Sequence, residues 1–354
     1  MTKDGNILVK NIFYMLAYAF SDEEWADQKD YGSEAFENIH NLFSAILSRG
    51  LEHQLKQGLY KQYIEQKQNI NTVRGRIDIS GSIQNEVFKR RTITCEYDEL
   101  SENNFLNQIL KTTAVLLLRC ENVSRLYKEE LKKVIILMTG IDEIAPTVIK
   151  WSSIKIHRNN RTYRFLISLC QLILEGMLVN TEKGDYRLAS FVYDQYMCRL
   201  YEKFILKFYE RECPQVKASA SQIPWAVEDG NDLMLPTMKT DIMLTKGNEV
   251  LIIDAKYYSQ ATQTYYDSHK IKSEHMYQIF TYVKNKDAEF GNVPHTVSGM
   301  LLYAKTDEKV LPNGNYRLDG NKISARTLDL NTDFSVISKQ LKGIVEEHFV
   351  AKCD

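Results

Sequence analysis

Two apolar strands joined by a tight turn constrain this sequence more than any other feature. Residues 238–258 carry apolar runs on both sides of Gly247-Asn248, a dipeptide typical of two-residue hairpins. If that dipeptide forms the turn, the pairing register places Asp241 opposite Asp254. Because side chains alternate along a strand, Lys256 shares the face of Asp254. The pattern therefore predicts two carboxylates and one lysine on one side of a hairpin.

Two opposed carboxylates repel each other, and burying them unpaired costs several kcal/mol more. A divalent cation removes this conflict, and carboxylate oxygens are ligands that Mg²⁺ accepts. A lysine beside such an ion can neutralise the charge that develops during phosphodiester hydrolysis. We therefore predict Asp241 and Asp254 as catalytic residues and Mg²⁺ ligands, with Lys256 as a third catalytic residue.

An acidic residue two positions before a lysine is a weak signal by itself. The chain contains five such pairs, at 27/29, 65/67, 130/132, 254/256 and 307/309. Among them, Asp254 and Lys256 end a continuous apolar strand and have an aspartate in register on the preceding arm. We interpret the other four as solvated surface pairs.

Two neighbouring features agree with a site at this hairpin. Gln278 and Tyr282 lie four residues apart, hence on one helix face, where they could orient a substrate phosphate or the lysine. An ordinary surface pair is the alternative. Glu202, flanked by apolar residues in an upstream helix, is either a further metal ligand or a helix-surface carboxylate.

Composition narrows the class of protein further. The formal net charge is −1, so DNA contacts must be local or supplied by a partner rather than come from a polycationic surface. The six cysteines show no Cys-x-x-Cys spacing, which argues against zinc and against a disulfide framework. The longest apolar stretch, Phe165–Val179, is too short and too polar to span a membrane, and no signal peptide is evident. We expect a cytoplasmic protein.

The order of helical and strand-like patterns predicts an α/β protein of two domains, residues 1–158 and 159–354. Helical patterns follow a candidate N-cap at Asn11 and recur at 33–56, 102–119, 124–138, 162–179, 191–212, 274–284 and 333–349. Strand-like segments occupy 58–98 and most of the region after Pro214. Residues 56–91 hold eight basic and three acidic side chains, a net charge of +5. This excess fits either a solvated sheet face or a basic surface for a partner or phosphates.

Asp241 and Asp254-Ala-Lys256, with Gln278-x-x-x-Tyr282 beyond, resemble the motif of the PD-(D/E)xK nuclease superfamily. The whole chain is similar to the nuclease subunits of McrBC modification-dependent restriction systems. The stretches that carry this second resemblance are Val9–Tyr18, Gly75–Asp78, Leu235–Asp241 and Leu251–Tyr258. The Pro-Asp dipeptide of the superfamily name is absent, since Pro236 stands five residues before Asp241.

The resemblance implies a C-terminal restriction-endonuclease-like domain, a mixed sheet flanked by helices, that cuts double-stranded DNA with Mg²⁺. It implies an N-terminal α+β domain that docks into the hexameric ring of an AAA+ GTPase and stimulates GTP hydrolysis. That partner would recognise 5-methylcytosine, as in defence against phage DNA. Dimerisation through the nuclease domain is a further expectation. The chain has no Gly-x-x-x-x-Gly-Lys-[Ser/Thr] loop, which agrees with nucleotide hydrolysis by another subunit.

Two other functions stay open at this point. The chain could be a stand-alone PD-(D/E)xK repair nuclease, which would cut DNA without GTP or a partner. It could instead be a non-catalytic assembly or GTPase-activating subunit. The intact set of two aspartates and one lysine argues against the second alternative.

Overall fold

The computed structural model describes residues 3–4, 7–20, 36–84, 92–156, 161–178, 190–227, 234–257, 262–265, 268–305 and 311–349. The α-helices within these residues are α1 (Val9–Phe20), α2 (Ile39–Gln57), α3 (Ile79–Gln84), α4 (Phe105–Arg119), α5 (Arg125–Leu137), α6 (Arg161–Leu178), α7 (Ser190–Glu212), α8 (Ser273–Glu289) and α9 (Phe334–Phe349). The positions agree with the predicted helical patterns to within about five residues, except at the start of α2. Helix α3 lies within residues 58–98, where the sequence pattern predicted strands, so that part of the prediction is wrong.

The described strands range in length from two to nine residues. They are β1 (Lys3–Asp4), β2 (Ile7–Leu8), β3 (Gln62–Ile70), β4 (Arg76–Ile77), β5 (Ile93–Ser101), β6 (Lys217–Ser219), β7 (Gln222–Ile223), β8 (Met238–Lys239), β9 (Ile242–Lys246), β10 (Glu249–Lys256), β11 (Thr262–Tyr265), β12 (Ser268–Ile271), β13 (Thr296–Ala304), β14 (Gly314–Leu318) and β15 (Asn321–Leu328).

A mixed six-stranded sheet forms the centre of the second half of the chain. Its strand order is β14-β15-β13-β10-β9-β6, with β13 parallel to both β10 and β15 and the other pairs antiparallel. Helix α8 packs on β13 and β10, and α7 contacts β6, β9 and β10. The predicted mixed sheet flanked by helices is thereby confirmed.

The described chain divides into two compact units at places other than the predicted boundary. The larger unit comprises the described residues of 1–42, 175–180 and 187–354, and the smaller unit those of 43–174. Helix α1 therefore belongs to the unit that contains the six-stranded sheet, not to the smaller unit. The reason is packing, because Tyr18 of α1 contacts the rings of Phe204 and Phe208 on α7.

The predicted N-cap at Asn11 is wrong. Helix α1 begins at Val9, and Asn11 lies inside it with a fully buried side chain. Its Nδ2 donates to the backbone carbonyls of Leu330 and Thr332, at 2.8 Å each. A buried carboxamide thus satisfies two carbonyls near the start of α9 instead of the first turn of its own helix.

The smaller unit combines helices with a three-stranded antiparallel sheet of order β3-β5-β4. Much of the basic excess of residues 56–91 is neutralised there by carboxylates further along the chain. Lys67 and Arg76 pair with Glu96, and Arg74 pairs with Glu99. The solvated sheet face is therefore favoured over a strongly basic surface, while Lys89-Arg90-Arg91 lies outside the described residues.

The structure gives two further observations, one on membrane character and one on cysteine pairing. Across the described residues, no helix combines the length and apolar character needed to cross a bilayer. The cysteines that the structure describes, at 95, 120, 170, 198 and 213, are all unbridged. The cytoplasmic location stays a prediction.

Gly299 lets α8 approach β13 closely. A Cβ atom at this position would lie 2.8 Å from Ile279 Cγ1 and 2.8 Å from Val283 Cγ2. We expect Gly299→Ala to lower the free energy of unfolding by about 1–3 kcal/mol through overpacking, measured by urea denaturation. Gly343→Ala in α9 is the matched control, because a Cβ there meets no atom within 4 Å. Equal losses in both variants would contradict this account of the contact.

Candidate active site

The hairpin formed by β9 and β10 has the predicted register. Gly247 has a φ of 58°, as the turn requires, and the ladder runs from Lys246 opposite Glu249 to Ile242 opposite Ile253. Asp241 directly precedes β9. Its Oδ2 accepts a hydrogen bond of 2.9 Å from the backbone N–H of Ala255, so its carboxylate reaches β10 next to Asp254.

Asp254 and Lys256 lie on the same face at the end of β10. Asp254 is 1% exposed, and Lys256 Nζ is 2.8 Å from its Oδ2. Oδ1 of Asp254 is buried without a hydrogen-bond partner in the described part of the chain. Burial raises the pKa of Asp254, and the charge of Lys256 opposes that rise. Among the residues that the structure describes, no group donates a hydrogen bond to this Oδ1 oxygen.

Gln278 and Tyr282 connect Lys256 to the strand before Asp241. Lys256 Nζ donates to Gln278 Oε1 at 2.9 Å, and Gln278 Nε2 donates to the Tyr282 hydroxyl at 3.1 Å. The Tyr282 hydroxyl donates in turn to the carbonyl of Lys239 at 3.1 Å. The predicted pair on one helix face thus lies beside the hairpin and contacts the lysine.

Glu202 on α7 is partly buried near these residues. Burial raises the pKa of its carboxyl, while the charge of Lys256 lowers it and that of Asp254 raises it. However, no group of three or more His, Cys, Asp or Glu side chains in the described ranges is arranged to hold a metal ion. The structure brings Asp241 and Asp254 together, with Glu202 near enough for its charge to act on Asp241. A role of Glu202 as a metal ligand stays a prediction.

Asp241 lies in an environment that disfavours its ionised form. Burial, together with the charges of Asp254 and Glu202, raises its pKa to about 8. Two carboxylates with one unsatisfied oxygen fit a Mg²⁺ ion, which in proteins is commonly bound by one or two carboxylates together with water and phosphate oxygens. Asp241 and Asp254 are accordingly the residues that could hold this metal.

Sequence reasoning missed a buried pair beside the lysine. His275 Nδ1 and the Tyr303 hydroxyl are 2.9 Å apart, and both side chains are buried. His275 precedes Gln278 by three residues on α8, so helical spacing was the available signal. Two exposed cations were also missed, since Arg199 and Lys239 both act electrostatically on Glu202.

The fold is similar to that of a chain in a solved structure. The chain is similar to a chain of the refined half-complex from the tetradecameric assembly of Thermococcus gammatolerans McrB AAA+ hexamers with bound McrC. The TM-score is 0.52 with 18% sequence identity, and the match covers 95% of this chain and 76% of that one. At this identity the match defines the architecture alone.

Sequence comparison identifies the family. Residues 2–304 match the family described as McrBC 5-methylcytosine restriction system component, so the chain belongs to this family. It is also 27% identical over 346 residues to the Type IV methyl-directed restriction enzyme EcoKMcrBC of Escherichia coli (strain K12). That alignment covers 97% of this chain and 98% of the relative. The resemblance to McrBC restriction systems is therefore confirmed.

The raised pKa of Asp241 predicts a pH-dependent stability. An unfolded aspartate loses its proton near pH 4, whereas Asp241 keeps its proton until about pH 8. The folded state is thus favoured at low pH, and this contribution is lost as the pH rises towards 8. In metal-free buffer we expect Asp241→Asn to stabilise the protein at pH 8 by about 1–3 kcal/mol and to change little at pH 4.

Thermal denaturation in EDTA across this pH range measures the difference. Glu121→Gln is the control, because Glu121 is exposed and remote in sequence from the hairpin. A stability gain for Asp241→Asn that is constant with pH would show that the carboxyl does not retain its proton in the folded state.

Proposed function

We propose that this chain is the Mg²⁺-dependent DNA endonuclease subunit of a modification-dependent restriction complex. The observation that carries the proposal is the buried Asp241 and Asp254 pair, with Lys256 at 2.8 Å from Asp254. Membership of the McrBC family supports it. We assign the site to the PD-(D/E)xK type because both acids and the lysine lie at the end of one hairpin of a mixed sheet.

Asp241 and Asp254 would hold the Mg²⁺ ion, which supplies Lewis-acid polarisation of the scissile phosphodiester and of water. Lys256 neutralises negative charge that develops on the phosphate oxygens during cleavage. Its ammonium is held at that position by Asp254 and Gln278. Asp254 thus has two roles, since it offers oxygen atoms to a cation and also orients the lysine.

Gln278 and Tyr282 act on the reaction through Lys256. The amide of Gln278 accepts from the lysine and donates to Tyr282, so both of its ends are already engaged within the protein. We therefore propose them as positioning residues rather than direct phosphate contacts. Arg199 and Lys239 are exposed near the carboxylates and are better placed to meet DNA phosphates.

The partner we propose is an AAA+ GTPase ring resembling McrB. The solved relative is described with bound McrB AAA+ hexamers, and this chain lacks a P-loop motif in its own sequence. A net charge of −1 suits a nuclease that another subunit delivers to DNA. Recognition of 5-methylcytosine is accordingly assigned to the partner, and stimulation of GTP hydrolysis to this chain.

We propose that the three-stranded sheet of the smaller unit docks on this partner. Tyr63 of β3 and Leu100 of β5 are direct cross-strand neighbours. They are 69% and 50% exposed, respectively. Adjacent large apolar side chains left in water are typical of protein interaction surfaces. This surface replaces the basic segment as the favoured docking site, because the described basic residues largely pair with β5.

Cleavage assays test the active site directly. With the reconstituted complex, GTP, Mg²⁺ and methylated DNA, we expect Asp254→Asn and Lys256→Ala each to reduce cleavage by about 10²–10³-fold or more. Excess EDTA should stop cleavage by the unmodified chain. Asp319→Asn is the matched control, since Asp319 also pairs with a lysine, Lys284, at 2.8 Å but away from the site.

Three outcomes would redirect the assignment. Full cleavage by both active-site variants would show that the nuclease site is not at this hairpin. Cleavage without GTP or partner would favour the stand-alone repair nuclease. No cleavage by the unmodified complex, with GTP hydrolysis still stimulated, would favour the non-catalytic subunit. Glu202→Gln should reduce cleavage less than Asp254→Asn, because Glu202 lies outside the carboxylate pair.

A second assay tests the docking surface. We expect Tyr63→Ser combined with Leu100→Ser to weaken partner binding and GTPase stimulation by about tenfold or more, through loss of buried apolar area. The variant Asp254→Asn should stimulate GTP hydrolysis normally. Tyr316→Ser, which changes an exposed tyrosine on β14, is the control. Unchanged stimulation by the double variant would exclude this face of the sheet.

A further inference from the structure

The pair formed by His275 and Tyr303 lies beside Lys256, because Tyr303 is the strand partner of Lys256. It has no role in the chemistry described so far. His275 is in the first turn of α8 and 3% exposed, and Tyr303 is on β13 and fully buried. The imidazole Nδ1 and the tyrosine hydroxyl are 2.9 Å apart. Both are too deeply buried to contact a DNA phosphate.

Strand register places this pair beside Lys256. In the parallel ladder of β10 and β13, Lys256 is the direct partner of Tyr303, so the two side chains are neighbours on one sheet face. On α8, Gln278 follows His275 by three residues and accepts from Lys256 Nζ. Three links therefore join β10, α8 and β13: Lys256 to Gln278, His275 to Tyr303, and the strand pairing of Tyr303 with Lys256.

The imidazole stays uncharged in this position. Burial, together with the charges of Lys256 and Lys272, lowers the pKa of His275 to about 4. The carboxylate of Glu274 is near, with its Oε1 3.7 Å from His275 Nε2. A neutral ring can share a hydrogen bond with Tyr303 without repelling the adjacent ammonium.

We propose that His275 and Tyr303 are positioning residues for Lys256, which tie the first turn of α8 to β13 and so hold Gln278 at hydrogen-bonding distance from the lysine. The proposal rests on the proposed nuclease function of this site. The packing of Ile279 and Val283 at Gly299 fixes α8 one to two turns further on. The hydrogen bond between His275 and Tyr303 fixes the first turn of α8, which is the end of the helix nearest Lys256.

The kinetic test uses the full chain in its reconstituted complex. We expect His275→Phe and Tyr303→Phe each to lower the single-turnover cleavage rate about tenfold, with KM for DNA unchanged. The double variant should be no slower than either single variant, because both lose the same hydrogen bond. His275→Asn, which offers an amide near the place of Nδ1, should recover part of the rate.

The matched control is Tyr209→Phe, which removes a buried hydroxyl that donates to the Leu341 carbonyl, away from the lysine. Its cleavage rate should equal that of the unmodified chain. If His275→Phe does not fold, Tyr303→Phe decides, since it removes only a hydroxyl group. Thermal midpoints of all variants verify that the folded state is retained.

A second readout follows the lysine itself without metal or DNA. Lys256 has a side chain that is 10% exposed, so an amine-acylating reagent should modify it slowly in the unmodified chain. We expect faster modification in Tyr303→Phe, relative to the exposed Lys239 in the same sample, measured by mass spectrometry.

Rates within twofold of the unmodified chain, additive losses in the double variant, or unchanged acylation of Lys256 would overturn the proposal. An unmodified complex that fails to cut DNA would instead overturn the nuclease function on which it rests. An unmodified complex that cuts, together with His275 and Tyr303 variants that cut equally well, would overturn the positioning role alone.

Discussion

The mutual repulsion of Asp241 and Asp254 is the constraint on which the rest of the site depends. One carboxylate precedes β9, the other ends β10, and the hairpin turn at Gly247 fixes their separation in the fold. A purely structural hairpin gains nothing from such a pair, because each charge raises the cost of ionising the other. The surrounding sheet therefore has to be stable enough to hold them together in the absence of any cation.

The sheet can hold the two aspartates together because they lie at one end of β10, a well-packed strand. Residues Val250 to Ile253 of β10 are buried among β9, β13 and the helices, and the polar groups begin only where that apolar run ends. Helix α8 then closes the site with a chain of hydrogen bonds. The stability of the apolar run thus offsets the cost of the two acids that follow it.

Local rules were sufficient for the hairpin, and this is why the carboxylate pair and Lys256 could be predicted from the sequence. A Gly-Asn turn and alternation of side chains decide register without knowledge of the rest of the fold. Gln278 and Tyr282 followed from helical spacing in the same way. Their contact with Lys256, in contrast, depends on how α8 packs against the sheet.

Contacts between segments that are far apart in sequence could not be predicted from local sequence patterns. An apolar helix such as α1 does not specify which partner covers it, so its place beside α7 and the division of the chain into units could not be predicted. The role of Asn11 was misjudged for the same reason, since its hydrogen-bond partners are more than 300 residues away in sequence. The pairing of His275 with Tyr303 likewise needs α8 and β13 to be assembled first.

The carboxamide of Asn11 has a consequence for the order in which the protein is made and folded. Its carbonyl partners at Leu330 and Thr332 are separated from it by 319 and 321 residues. During synthesis residues 43–174, which form most of the smaller unit, are made before α7 and before these carbonyls. Helix α1 can therefore complete its contacts only after residues 190–212 and 330–332 have been synthesised, and its apolar side chains have no α7 to pack against until then.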